Sequence, residues 1–285
     1  MGNIKIIGDS TCDLPPAWRE KLDVGFMGLP VNLGDEPKKD MIDVFPEDLY
    51  EYTKRTGKLC STSAPNSLDY VEFWNEIRKK EPDCDIIHFH ISSKMTSTDA
   101  MCEQATQEFE RVWSVDSQSV SVGVAILIMR ACKMRDEGCT AEEIFEEMNR
   151  IKHRIRVGFV VETVEYLIKG GRCTKLQGLG ANLLHIRPAI DLVDGELVGG
   201  KRYRGSRQRA SLSLAQDLLS GDDVDPEVIF IANTSGDEEA NKWMTDEVKR
   251  LQPDVKEVIV SVPCCSVSVH CGPGTIGIAY LRKES

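Results

Sequence analysis

This chain has no long apolar run. The longest, Val122 to Met129, falls far short of the roughly 20 residues that a helix needs to cross a bilayer, so no membrane span is expected. Positive charge is also in deficit. The 35 Lys and Arg stand against 46 Asp and Glu, a formal net charge of -11. A nucleic-acid binder is usually basic, so no nucleic-acid partner is expected. An acidic surface of this kind belongs to a soluble protein. There is no Walker loop, hence no ATP site of that type. HExxH and Cys-x-x-Cys are both missing, and the ten cysteines fall at irregular spacings. Cys264, Cys265, His270 and Cys271 lie close together, but ligands so bunched could not all point inward from one strand, so no metal and no cofactor are assigned. No basic-then-apolar leader opens the chain, and the serine or threonine of a myristoylation signal is missing. The expectation is therefore a cytoplasmic protein with reduced thiols. Internal repeats and low-complexity linkers are absent too.

What is present is a regular alternation of strands and helices. At 285 residues the chain is longer than most single domains, and 41% apolar residues suffice for two cores. "NIKII" is a candidate first strand, ended by the turn "GDSTCDLP". Leu68, Tyr70, Phe73, Trp74 and Ile77 recur at helical spacing. "DIIHFHI" and "RVWSVD" read as strands, and Thr98 to Phe109 as the helix between them. "VSVGVAILIMRACKMRDEG" is apolar nearly all round, hence a buried helix, and Gly138 stops it. Thr140 and Glu143 form a capping box at the head of the next helix. The first 155 residues therefore read as an α/β domain with a parallel sheet. Residues 156–285 read as a second α/β domain with a mixed sheet: Asp194-Gly195 marks a β-hairpin, strands and helices alternate around it, and "SVSVHCGPGTIGIAYL" reads as two closing strands joined by a glycine turn.

The candidate chemistry clusters in four places. The segment "IIHFHISSKMTSTDA", Ile86 to Ala100, runs from an apolar strand into five hydroxyls: Ser92, Ser93, Thr96, Ser97 and Thr98. Such groups suit a ligand that is polar at one end, a nucleophile, or a helix start. "GPGTIG" has the spacing of a dinucleotide loop but lacks the helix after it, which leaves a plain turn or a backbone-donor loop for an anion beside His270. The cluster "GLGANL" lacks the third glycine. "GDSTC" resembles a nucleophile elbow, so Ser10 with His270 could serve an esterase; the plainer reading makes Asp9 and Ser10 turn caps. From Lys169 to Arg209 nine basic residues face three acidic ones, either a solvated face or a patch for an acidic partner.

Seven motifs then occur in one order: "DSTCDLP", "STSAPN", "ISSKMTST", "VDSQSVSVG", "EYLIKGGR", "DGEL" with "KRYRG", and "HCGPGTIG". In this the chain resembles the DegV family of lipid-binding proteins, whose members include fatty-acid-binding subunits of bacterial fatty acid kinase. The resemblance covers essentially the whole chain. It implies a two-domain α/β carrier, not itself an enzyme, with a long-chain fatty acid in a buried tunnel. It implies that Thr62, Ser93 and His270 hold the carboxylate and that Ser92, Thr96, Ser97, Gly272 and Gly274 shape the head-group loop. It further implies an ATP-dependent fatty acid kinase as partner, with Arg172 and Arg204 facing that partner or a phosphate. Ser97 stands at a glycine position of the family pattern, Asp99 at an aromatic one, and Asn233 where histidine is frequent. Two rivals remain at this point: a serine esterase or thioesterase using Ser10 or Ser93 with His270, and a phosphate or nucleotide binder using the basic segment and the glycine loop.

Overall fold

The computed structural model describes residues 3–172 and 186–284. Lys175 and the "GLGANL" cluster lie outside them. β1 (Ile4–Asp9) ends in a 3-10 turn; α1 (Pro16–Lys21) leads to β2 (Val24–Met27). β3 (Pro30–Leu33), β4 (Glu36–Lys39), α2 (Pro46–Thr56) and β5 (Ser61–Thr62) follow. Next come α3 (Ser67–Lys80), β6 (Asp85–His90), α4 (Thr98–Thr106), β7 (Val112–Asp116), α5 (Val122–Asp136) and α6 (Ala141–Ile151). The rest is β8 (Ile155–Val160), α7 (Glu165–Lys169), β9 (Ile186–Val193), β10 (Glu196–Arg204), α8 (Arg207–Leu219), β11 (Val224–Asn233), α9 (Glu238–Leu251), β12 (Glu257–Ser261), α10 (Cys265–Cys271) and β13 (Ile276–Arg282).

The strands form a parallel sheet ordered β2-β1-β6-β7 and a mixed sheet ordered β10-β9-β8-β13-β11-β12. This is the α/β class, parallel sheet then mixed sheet, that the sequence led us to expect. A small antiparallel sheet, β4-β3-β5, was not legible beforehand. Its strands are too short and too polar to carry a period. α5 is buried over most of its surface because it is packed between the two large sheets, touching β1 on one side and β8, β11 and β13 on the other. One apolar core runs through it, from Ile6 and Phe89 to Phe159 and Phe230. The capping box of α6 is present: the Glu143 amide donates to Thr140 Oγ1 at 3.2 Å and the Thr140 amide to Glu143 at 2.8 Å.

The β9–β10 hairpin turns at Asp194 and Gly195, both with positive φ, as its two-residue turn requires. Its tip reaches the parallel-sheet half, where Ser92 Oγ donates to the Gly195 carbonyl at 2.7 Å. A Cβ on Gly195 would sit 2.6 Å from that hydroxyl oxygen, so only glycine permits the contact.

One expectation fails. "SVSVHC" alternates like a strand but is the helix α10, so a single strand, β13, closes the chain and the glycine turn joins a helix to it. The reason is tertiary. Asp13 accepts the Cys264 amide at 2.7 Å, and the two oxygens of Asp40 accept the amides of Cys265 and Ser266 at 2.9 Å each. These are the unpaired donors of a helix start, satisfied by carboxylates from the other half of the chain. α10 then lays Cys265 and Val269 against Val31, Val44 and Leu49.

All nine described cysteines are free, and Cys139 and Cys271 are the two that are not fully buried. Burial pushes the Cys271 thiol up to about 12, so it is almost entirely protonated at neutral pH and slow to react. Iodoacetamide at pH 7.5 is therefore expected to label Cys139 first among these nine, as read by peptide mass mapping.

Candidate functional site

α10 meets the parallel-sheet half along a cavity of about 630 Å³, its open mouth included. Thr11, Leu29 and Thr62 to Ala64 form one wall; Ile91, Met95, Thr96 and Thr98, at and after the end of β6, form another. Arg172 lies on it too, and α10 contributes Ser266, Val267, His270 and Cys271. A second chamber of about 450 Å³, its openings included, adjoins the first and shares four wall residues with it: Val120, Leu197, Val267 and Cys271. The chambers differ in chemistry. The first is rich in hydroxyls. The second has three, and each is turned to a protein acceptor: Ser121 donates to Asp13, Thr234 to the Gly272 carbonyl at 2.9 Å, and Thr275 to the Cys271 carbonyl at 2.9 Å. Its walls, among them Val122, Val157, Phe159 and Ala232, therefore present carbon.

The polar end is built around one pair. Thr62 Oγ1 and His270 Nε2 are 3.2 Å apart, bringing together residues 208 positions distant in the chain. Thr62 is fixed by pairing with Val31 of β3, and His270 by the caps of α10. Burial, and then the neighbouring Arg172 charge, push the His270 pKa down to about 4, so the ring is neutral at pH 7. In the tautomer with its proton on Nε2, His270 donates to Thr62 and leaves the threonine proton for an acceptor in the chamber. Thr96 and Thr98 share one hydrogen bond at 2.9 Å, which leaves one of their two protons for the chamber. Asp9 lies behind Thr11 and accepts both its amide and its hydroxyl.

The other expected residues are placed as follows. Ser93 is turned away from the cavity: its hydroxyl donates to Asp116 at 2.6 Å and its amide to the same carboxylate at 3.1 Å. Ser92 holds the hairpin tip. Both serines hold the loop after β6 and neither is a cavity wall, whereas Thr96 and Thr98 are. Ser97 has φ -83°, so the non-glycine residue there carries no backbone strain. The Gly272 amide bonds the Ser268 carbonyl at 2.8 Å, the Gly274 amide bonds Ser235 Oγ at 3.0 Å, and the Thr275 amide bonds Thr234 Oγ1 at 3.0 Å. With those donors occupied, the loop is no anion nest. Gly272 is needed for another reason: its φ is +74°, and a Cβ would come within 2.5 Å of the Tyr166 ring. Arg172 lines the chamber and donates to the Gly170 carbonyl at 3.3 Å. Arg204 is exposed at the end of β10, away from the cavity walls.

Among the described residues neither Ser10 nor Ser93 is hydrogen-bonded to a histidine. Ser10 donates to Asp40 at 2.9 Å and accepts the Leu29 amide at 3.2 Å, and no described histidine bonds it. His90 Nε2 meets Ser114 at 2.9 Å and Asp99 at 3.3 Å while its Nδ1 faces the Ile91 carbonyl at 3.3 Å, and neither His90 nor Ser114 lines the chamber. No group of three metal-ligating side chains occurs among the described residues. Nor is any described helix long and apolar enough to cross a membrane. The sequence did not single out Ser266 or Val267, and it singled out Cys271 only as a metal ligand that was set aside. Their spacing, Ser266 with His270 and Val267 with Cys271, is the i, i+4 signature of one helix face, hidden within a period-two pattern.

Comparison with known proteins adds four findings. The family model for uncharacterised DegV-family proteins matches residues 3–283. A protein named fatty acid-binding protein, from Thermotoga maritima, is 28% identical over 281 residues, covering 96% of each chain. The solved structure of a fatty-acid-binding DegV family protein from Thermus thermophilus superposes with a TM-score of 0.85 at 29% identity, over 98% of this chain and 99% of that one. A DegV lipid-binding protein from Thermotoga maritima gives 0.84 at 26% identity, over 99% of both.

Proposed function

Because the chain belongs to the DegV family, we propose that it is a lipid carrier that binds a long-chain fatty acid across the two adjoining chambers. The carboxylate lies at Thr62, His270 and the Thr96–Thr98 pair, and the acyl chain runs past Val267 and Cys271 into the apolar chamber. The observation that carries this reading is the chemical polarity of the cavity, hydroxyls at one end and carbon at the other. An acyl chain of about fifteen methylenes gains on the order of 12 kcal/mol by leaving water, at about 0.8 each. Ordering the chain offsets part of that, and the remainder drives binding without a salt bridge. The head group is the demanding part, since a buried carboxylate without hydrogen bonds is strongly disfavoured. Uncharged donors satisfy it while leaving an oxygen nucleophilic. On this reading the two domains divide near 155/156. The protein is a cytoplasmic carrier that performs no chemistry of its own and presents the carboxylate to an ATP-dependent kinase. Arg172 at the chamber and Arg204 on β10 serve the docking partner or a phosphate.

The test is the lipid content of purified protein by native mass spectrometry, followed by delipidation and titration with palmitate. An added mass equal to a fatty acid is expected. Thr62→Val should weaken palmitate by tenfold or more, the worth of about one hydrogen bond to a charged group. Ser93→Ala should leave the affinity within about twofold, because its hydroxyl serves Asp116 rather than the cavity. Palmitate binding equal in Thr62→Val and wild type would overturn the placement of the head group.

A further inference from the structure

α10 carries two serines with opposite fates. Ser268 is fully buried and its hydroxyl donates to the Pro263 carbonyl at 3.0 Å. Ser266 is also buried, with 9% of its surface exposed, yet its Oγ has no partner within the protein. It forms part of the wall of the first chamber and has no place on the second. A hydroxyl in that position is costly if left alone, because a buried donor without an acceptor has lost its bonds to water and gained none in return. The usual remedy for a helical serine is to bond back to a carbonyl one turn earlier, and Ser266 makes no such bond. Its backbone is held firmly, because its amide donates to Asp40 Oδ2 at 2.9 Å, and Asp40 also accepts from Ser10 and the Cys265 amide. The hydroxyl is thus an unused donor on a residue that lines the same chamber as Thr62 and His270.

The helix sets its distance from that pair. Ser266 and His270 are four residues apart, so they share one face, with their Cβ atoms about 5–6 Å from each other. Helical side chains lean toward the N-terminus, which inclines the His270 ring toward Ser266. The Thr62–His270 contact and the Ser266 hydroxyl therefore converge on the chamber from one side. Val267 and Cys271, the next pair on the helix, form the shared wall that leads into the apolar chamber. α10 presents a polar edge to a head group and an apolar edge to the chain that follows it.

We infer that Ser266 is a further head-group-binding residue, whose hydroxyl donates to the carboxylate of the bound acyl ligand. This rests on the fatty-acid reading of the cavity and adds a contact to it. A carboxylate has about four acceptor positions. Thr62 and the Thr96–Thr98 pair do not fill them, and a charged acceptor strengthens each bond it receives to roughly twice the neutral value. Ser266 discriminates in favour of an ionised head group over a neutral one.

The test uses delipidated full-length protein and two ligands of equal chain length, palmitate and hexadecanol. Ser266→Ala should weaken palmitate by about tenfold to a hundredfold, the worth of one hydrogen bond to a charged acceptor, and hexadecanol by less than about threefold. Ser268→Ala is the comparator: it should lower the melting temperature and leave the ratio of the two affinities unchanged. A Ser266→Ala variant that binds palmitate as wild type does, or that loses the same factor for both ligands, overturns the inference and makes Ser266 a packing residue. Wild-type protein that takes up neither ligand would sink the fatty-acid reading itself, an outcome distinct from a binding wild type with an indifferent Ser266.

Discussion

Val267→Phe is expected to weaken palmitate by about a thousandfold while leaving octanoate within a few-fold of wild type. Val267 lies on the wall common to both chambers, so a ring there obstructs the passage between them without touching Thr62. If about five methylenes are thereby kept in water, at ~0.8 kcal/mol each, the loss is ~4 kcal/mol, or three orders of magnitude. A short acid ends before the obstruction and loses little. The added carbon has empty space to enter in the ligand-free protein, so the overpacking penalty of about 1–3 kcal/mol is an upper bound on lost stability. Circular dichroism and the melting temperature check that the variant folds; isothermal titration with the two acids reads the effect. Equal losses for palmitate and octanoate would mean that the acyl chain does not pass Val267, and the second chamber would then have no role in binding.

How much of this was legible in the sequence depended on where each signal was stored. Elements whose reason is local were readable. α3 carries its own stripe of Tyr70 and Trp74, α6 its own capping box, and the β9–β10 hairpin its own Asp-Gly turn. α10 was not readable because its reason lies elsewhere: Asp13 and Asp40, more than 200 positions away, supply the acceptors that start it. Alternation of serine and valine then lost to those bonds, a tertiary override of a period-two pattern. The same error concealed half of the site, since only a helix can place Ser266 beside His270 and Val267 beside Cys271. The hydroxyl burst after β6 was visible, while Thr62 and His270, 3.2 Å apart in the structure, were put at one site only by the family resemblance. Which hydroxyl faces the cavity was not decidable from spacing. Asp116 captures Ser93, Gly195 captures Ser92, and the chamber is left to Thr96 and Thr98.

The buried carboxyl groups of Asp9 and Asp13 predict a pH dependence with a definite sign. Burial raises the pKa of Asp9 and of Asp13 from 3.8 to about 7 each. Hydrogen bonds from Thr11 to the first, and from Ser121 and Cys264 to the second, offset only part of that, and the nearby Asp40 charge adds to the rise. Because the folded-state value lies above the unfolded one, the native protein retains protons between about pH 4 and 7 that the unfolded chain has released. Stability is therefore greatest below pH 4 as far as these two groups are concerned, falls as pH rises through about 7, and is flat beyond it. Asp9 is the better position for a test. One of its oxygens receives both bonds from Thr11, and the other, Oδ2, is buried with no partner. Asparagine can keep the first oxygen and place its amide where the orphan is, removing the charge. Asp9→Asn should raise stability at pH 8 and remove about half of the decline between pH 4 and 7. A shift of this size corresponds to at most on the order of 4 kcal/mol per group. The measurement is urea unfolding of wild type and variant across that range. A variant whose stability falls with pH as steeply as wild type would show that Asp9 is already ionised at acidic pH in the folded protein, and that the wall behind Thr11 tolerates a bare charge.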